Sequence, residues 1–202
     1  MRARVVVLAG PSGSGKSRLA GRLHDTHGWP IVRLDDFYRD HDDPAAPREV
    51  SLGIVDWDHV DSWKADDAVD ALGTLVDTGS VDLPVYDIST SRAIGAQTLT
   101  AHAQDLILAE GIFAAEIIGR LRERGLLHSA WCIHHRPVVT FARRLARDLK
   151  ERRKPPMILV RRGLGLMREE PDVVARQTAL GATSARPADV ERRLGTPDRP
   201  VR

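Results

Sequence analysis

One short run constrains this chain more than any other: Gly10-Pro11-Ser12-Gly13-Ser14-Gly15-Lys16-Ser17, set between the apolar stretch Val5 to Ala9 and a segment, Lys16 to His27, with Leu19, Ala20 and Leu23 at helical spacing. The spacing Gly-x4-Gly-Lys-Ser is met by Gly10, Gly15, Lys16 and Ser17 in a strand–loop–helix context. Glycines let a loop turn its backbone N–H groups onto phosphate oxygens, and the following helix N-terminus adds a favourable dipole. The expected ligand is ATP, contacted by Gly10, Ser12, Gly13, Ser14, Gly15, Lys16 and Ser17. Lys16 would reach the β- and γ-phosphates and Ser17 would ligate Mg2+.

The rest of the chain alternates. Ile31 to Leu34, Leu106 to Ala109 and Leu127 to Ile133 read as strands, with helices expected over His59–Thr78, Phe113–Arg124 and Val138–Arg152. Strands alternating with helices predict a three-layer α/β fold with a mostly parallel central sheet. Val81 to Ile88 and Ala93 to Thr100 read as a small β-hairpin projecting from it. Beyond Pro155-Pro156 the pattern permits one or two helices broken near Pro171. The expected organisation is one domain over residues 1–182, with an insertion at about 81–100, and a tail over 183–202 carrying at most a short helix.

Several classes are excluded or disfavoured. The chain contains no Asn, so the Asn-Lys-x-Asp element by which regulatory GTPases read guanine is impossible. The five-residue apolar run before Gly10 is too short for a signal peptide, and no transmembrane stretch follows. A cytoplasmic protein without membrane contact is expected. The lone Cys132, in Trp131-Cys132-Ile133, reads as a buried structural thiol, and His134-His135 as strand-end residues that point to opposite faces.

Two further signals bear on chemistry. Asp35, at the end of the second expected strand, sits where open α/β sheets place ligands, and its carboxylate could accept an acceptor hydroxyl's proton or help hold Mg2+ through water. Residues 143 to 162 hold nine basic residues against two acids, Asp148 and Glu151. With no aromatic after residue 142, nucleic-acid binding gains no support from that run.

The order Gly10–Ser17, Asp35-Asp36-Phe37-Tyr38, Asp56-Trp57-Asp58-His59-Val60-Asp61-Ser62-Trp63, Tyr86-Asp87, Glu110-Gly111-Ile112 and Arg143-Arg144-Leu145-Ala146-Arg147-Asp148 resembles the uridine kinase-like family of P-loop small-molecule kinases, over roughly residues 5 to 154. More loosely it is similar to nicotinamide riboside kinases and phosphoribulokinases. The resemblance implies a P-loop NTPase fold with a β-hairpin at the acceptor site and a helical Arg-rich lid at about 143–162. By position it implies Asp35 as catalytic base, with Lys16, Arg147 and Arg152 acting on the transferred phosphoryl group. Tyr38, Asp58, Tyr86, Arg92 and Arg144 would bind the acceptor, Asp58 through the ribose hydroxyls, and Glu110 would join Ser17 at Mg2+. The partner implied is a small-molecule substrate, with a homo-oligomer allowed.

The pattern also departs from the family. No His follows Tyr86-Asp87 to read a pyrimidine, the nearest Gln beyond the lid is Gln177, position 36 is Asp where uridine kinases usually have Ser, and Asp189 is the one candidate near adenine. The expected activity is ATP-dependent phosphorylation of the primary hydroxyl of a ribonucleoside-like metabolite, uridine or cytidine first. Nicotinamide riboside or a sugar phosphate is the alternative acceptor, and a catalytically silent ATP-binding regulatory protein the alternative of another class.

Overall fold

The computed structural model describes residues 2–49, 53–135, 138–142, 145 and 156–195. Five parallel strands form the central sheet in the order β2-β5-β1-β6-β7, where β1 is Arg4–Ala9, β2 Ile31–Arg33, β5 Leu106–Glu110, β6 Leu127–Ile133 and β7 Thr183–Ala185. The continuous apolar runs of β1 and β5 follow from this placement, since a central parallel strand is covered on both faces.

Alternate residues of β1 enter different halves of the core. Val6 and Leu8 face Leu19 and Leu23 of α1 (Lys16–His27) and Val190 of α5 (Pro187–Leu194). Val5, Val7 and Ala9 face the side built from α2 (Ala65–Thr78) and α3 (Ile118–Glu123), with Leu72, Leu75, Ile117 and Leu121 fully buried there. Burying a leucine side chain stabilises the fold by about 1.5–3 kcal/mol, so truncating Leu8 would damage the sheet and α1 together.

The hairpin of β3 (Ser80–Asp87) and β4 (Arg92–Thr100) stands as a separate two-stranded sheet. Its tip is held against the segment after β2: His41 N–H donates to Ser91 O at 3.0 Å, and Ala93 N–H to Asp40 Oδ1 at 2.8 Å. Beside the tip, the Asp36 carboxylate accepts from the backbone N–H of Tyr86, the residue paired with Ala93.

Four expectations about elements are corrected. The helix read from His59 begins only at Ala65. Residues Val60–Ser62 form a 3-10 turn in which the Asp61 N–H donates to His59 Nδ1 at 3.1 Å, and Trp63 is extended to bridge Tyr38. The helix read from Phe113 starts as a 3-10 turn over Ala114–Ile117 and turns α only at Ile118. Pro171 does not break the last helical region: α4 runs from Pro156 to Ala179 with Pro171 inside it. Past residue 182 the chain is no mere tail, because β7 pairs with β6 and α5 packs on α1, where Glu191 is ion-paired to Arg22 at 2.9 Å. Residues 138–142 are helical, as expected, while most of the Arg-rich segment lies outside the described residues. Among the described residues, no helix is long and apolar enough to cross a membrane.

Candidate active site

The C-terminal ends of β1, β2 and β5 meet at one edge of the sheet, with Leu8 opposite Glu110 and Glu110 opposite Arg33. The loop leaving β1 depends on glycine. Gly10 has φ +139°, and a Cβ there would lie 2.2 Å from the Ile133 carbonyl oxygen. Gly13 and Gly15 also take positive φ, and Gly15 caps the N-terminus of α1.

Within that loop Lys16 is 6% exposed, and its ammonium folds back to donate to Gly10 O at 2.8 Å and Pro11 O at 3.1 Å. The Ser17 hydroxyl donates to Glu110 Oε2 at 3.0 Å. Ser14 is fully buried, and its hydroxyl oxygen has no hydrogen-bond partner among the described residues. A buried hydroxyl in that condition costs free energy until something polar meets it. Together with the glycine-turned backbone, it is what a loop built for phosphate oxygens presents.

Asp35 lies in the 3-10 turn directly after β2 and accepts from the Ile112 N–H at 3.3 Å. Burial pushes its carboxyl above the usual range, opposed by the nearby Lys16 ammonium and by that N–H. Glu110 is raised for the same first reason. Lys16 and the Ser17 hydroxyl pull it down, and the Asp35 charge pushes it further up. Lys16 is therefore the cation shared by two carboxyls that repel one another, an arrangement in which proton-transfer groups are commonly found. Asp36, its neighbour in sequence, instead turns to the Tyr86 amide and serves to fasten the hairpin.

Beside Asp35 the aromatic side chains converge. The Tyr38 ring lies 5.8 Å from Trp57, 5.9 Å from Tyr86 and 6.2 Å from Phe113, centroid to centroid. Burial, and then the charges of Asp35 and Asp58, push the Tyr38 phenol well above its ordinary range. Burial pushes Tyr86 up to about 12. Both phenols are neutral donors at physiological pH; Tyr86 spends its own on Arg39 O at 3.0 Å. The exposed Asp58 sits on the 56–59 turn, whose Trp57 carbonyl accepts from Tyr38 at 3.5 Å.

The sequence-predicted residues thus fall into three groups. Lys16, Ser17, Asp35 and Glu110 converge, and Tyr38, Asp58 and Tyr86 adjoin them. Arg92 is exposed on the hairpin and paired with Asp42 at 2.6 Å. Arg144, Arg147 and Arg152 lie outside the described residues.

Sequence reasoning did not single out Phe113, Trp57 or the Gly111-Ile112 step as working parts. A Cβ at Gly111 would lie 2.9 Å from Asp35 Oδ1, so this glycine is what allows the approach; its signal was its place directly after Glu110. Also unread was a cleft of about 550 Å3 beside the phosphate loop, lined by Gly15, Arg18, His135, Val139, Arg186 and Pro187 among others. Asp189, a candidate near adenine, pairs with Arg192 at 2.8 Å.

A glycine-turned phosphate loop at the end of a parallel sheet, with a buried carboxylate facing its lysine, defines a P-loop phosphotransferase. The family model for the phosphoribulokinase/uridine kinase family matches residues 5–155. The chain is 30% identical over 171 residues to a uridine kinase of Deinococcus deserti, covering 83% of this chain and 79% of the relative. With a uridine kinase of Geobacillus kaustophilus it shares 31% identity over 150 residues, 73% of this chain and 68% of the relative. For a uridine kinase of Lactobacillus johnsonii the figures are 28% over 152 residues, 73% and 69%. A crystal structure described as that of a fructose transport system kinase from Silicibacter sp. TM1040 superposes with a TM-score of 0.62 at 18% identity, covering 87% of this chain and 85% of the other, which supports the fold. This chain belongs to the phosphoribulokinase/uridine kinase family: it is a uridine kinase-like kinase, an ATP-dependent phosphotransferase acting on a hydroxyl group.

Proposed function

We propose that this kinase phosphorylates the primary hydroxyl of a small ribonucleoside-like metabolite, uridine or cytidine first, using Mg2+-bound ATP. The observation that carries the reading is the convergence of Asp35, Lys16 and Glu110 beside the aromatic group of Tyr38, Trp57, Tyr86 and Phe113. Asp35 accepts the proton of the attacking hydroxyl, and its raised pKa brings it nearer the operating pH, where a general base works best. Lys16 exchanges the carbonyls of Gly10 and Pro11 for phosphate oxygens, and the Ser14 hydroxyl gains the partner it lacks.

Ser17 and Glu110 fit Mg2+: both offer hard oxygen, and a magnesium site needs only one or two protein ligands when phosphates supply others. When bound, Mg2+ neutralises charge on the phosphates and orients them. The cleft beside Gly15, lined by Arg186 and Pro187, suits the adenine ring, since a proline and a guanidinium offer flat faces for stacking. Asp58 grips the vicinal diol of the ribose. The roles of Arg144, Arg147 and Arg152 rest on the resemblance of the sequence alone.

One observation favours a second reading of the acceptor. At the hairpin tip the polar groups satisfy one another: Ser89 and Thr90 donate to the Asp87 carboxylate at 2.7 and 3.1 Å, and Arg92 is paired with Asp42. No side chain there stands ready to read a pyrimidine, which keeps nicotinamide riboside and sugar phosphates in consideration. Coupled ADP release, screened over uridine, cytidine, nicotinamide riboside, pantothenate and ribulose 5-phosphate, is the deciding measurement. Turnover with a pyrimidine nucleoside supports the first reading, and selective turnover of another acceptor replaces it.

A further inference from the structure

Gln177 lies far along the chain from Lys16, Asp35 and Glu110, yet it touches two of the segments that build the site. It stands near the end of α4, and its side chain is only 6% exposed. Its Nε2 donates to the Ile112 carbonyl at 3.1 Å, and its Oε1 accepts from the Cys132 thiol at 3.3 Å. Cys132 is fully buried in β6, and burial pushes its thiol up to about 11, so it acts as a neutral donor fixed in the core.

The residue Gln177 grasps has a second attachment. Ile112 offers its N–H to Asp35 Oδ1 at 3.3 Å, while its carbonyl faces Gln177. On its N-terminal side the segment is held weakly: Gly111 has no side chain, and its N–H reaches Leu8 O only at 3.4 Å. Space is tight as well, because a single added methyl at Gly111 would press on Asp35. Gln177 holds the Ile112 carbonyl from outside the segment while bonded to Cys132 of β6.

We propose that Gln177 is a positioning residue for phosphoryl transfer: by holding the Ile112 carbonyl it fixes the Ile112 N–H against Asp35 and thereby aims that carboxylate at the acceptor hydroxyl. The proposal rests on the reading of Asp35 as the base. A core amide that merely satisfied a buried carbonyl would affect stability, and kcat only through the amount of folded enzyme.

The test compares Gln177→Met, which keeps the volume and loses both hydrogen bonds, with Cys132→Ala, which leaves the bond to Ile112 in place. Each is measured with the best acceptor from the screen, alone and combined with Asp35→Asn, after the folded fraction is normalised by circular dichroism. Gln177→Met is expected to lower kcat about tenfold, with KM for ATP and acceptor within about twofold, as for one lost hydrogen bond felt in the transition state. Cys132→Ala, which removes the anchor but keeps the bond to Ile112, is expected to lower kcat by less than Gln177→Met does, since a thiol is a weak donor, and a larger loss would overturn the proposal. In the Asp35→Asn background Gln177→Met should lower the residual rate no further.

An unchanged kcat in Gln177→Met, or the same fractional loss in both backgrounds, overturns the proposal. Should Gln177→Met not fold, Gln177→Glu, which accepts from Cys132 but cannot donate to Ile112 when ionised, is read in the same way. Full kcat in the Asp35→Asn single variant sinks the base assignment itself, independently of any result at Gln177.

Discussion

The donor half and the acceptor half of this site are built from different materials. Around the phosphate loop the work is done by backbone and by buried groups: three glycines at positive φ, a lysine 6% exposed, and a glutamate 7% exposed on a central strand. Around the acceptor pocket it is done by side chains on turns and on a hairpin whose outer strand is exposed along nearly its whole length. The first half recognises what every ATP has in common, and a rigid sheet edge holds it. The second, on the proposed reading, would recognise whatever one particular acceptor carries, and its supports lie outside the central sheet.

If this division is right, substitutions at the junction should be the most damaging and those on the hairpin the least. Asp35→Asn is expected to lower kcat by about 10^3, within the range for loss of a general base. The same change should raise the melting temperature at neutral pH. The folded Asp35 carboxyl holds its proton more tightly than the unfolded one, so it favours folding most at low pH, and that contribution is lost as pH rises between the two pKa values. Thermal melts of wild type and variant at acidic and neutral pH check this, the gain shrinking toward low pH. For the wild-type enzyme, the acid limb of kcat/KM against pH should lie above the range of an ordinary aspartate.

Next in size is Gly111→Ala, expected to cost about 10–100-fold in kcat because its methyl would lie 2.9 Å from the Asp35 oxygen and displace it. ATP binding, followed by titration, should be nearly unchanged, which locates the damage at the junction. Asp58→Ala should raise the acceptor KM by about tenfold, the loss of a hydrogen-bonding grip on the sugar, with a smaller effect on the KM for ATP. An equal rise in both would blur the division between halves. Arg92→Ala is expected to change kcat and KM by less than about twofold, since an exposed ion pair of the Arg92–Asp42 kind contributes roughly 0–1 kcal/mol. A large rise in acceptor KM there would return Arg92 to the pocket.

The two halves were also unequally legible in the sequence. Phosphate recognition leaves a local signature, because glycines at fixed spacing after an apolar run can do few other things. Asp35 was singled out by its place at the end of an expected strand, and Glu110 by the resemblance, which matches it to an acid following the apolar run Leu106 to Ala109. What escaped notice depends on contacts made at long range. Thr183-Ser184-Ala185 contains no apolar run, and becomes a strand only because β6 offers an edge beside Cys132 and Ile133. Trp63 shares a helical spacing with Val60 and Ala68, yet its backbone is extended by pairing with Tyr38. Gln177 meets Ile112 across 65 positions, a distance at which no periodicity speaks.

Two carboxylates adjacent in sequence, Asp35 and Asp36, look in different directions: one toward the lysine and the other to the Tyr86 amide just before the hairpin turn. Asp36 and the Tyr86 hydroxyl fasten β3 just before the turn, so the turn is tied to the segment after β2 by contacts that do not involve Asp35. On the proposed reading of the acceptor pocket, insertions, deletions and new side chains at the tip would retune which metabolite is accepted while the chemistry at Asp35 is inherited unchanged. A lineage that shortened this tip would be expected to change its diet before it lost its catalyst.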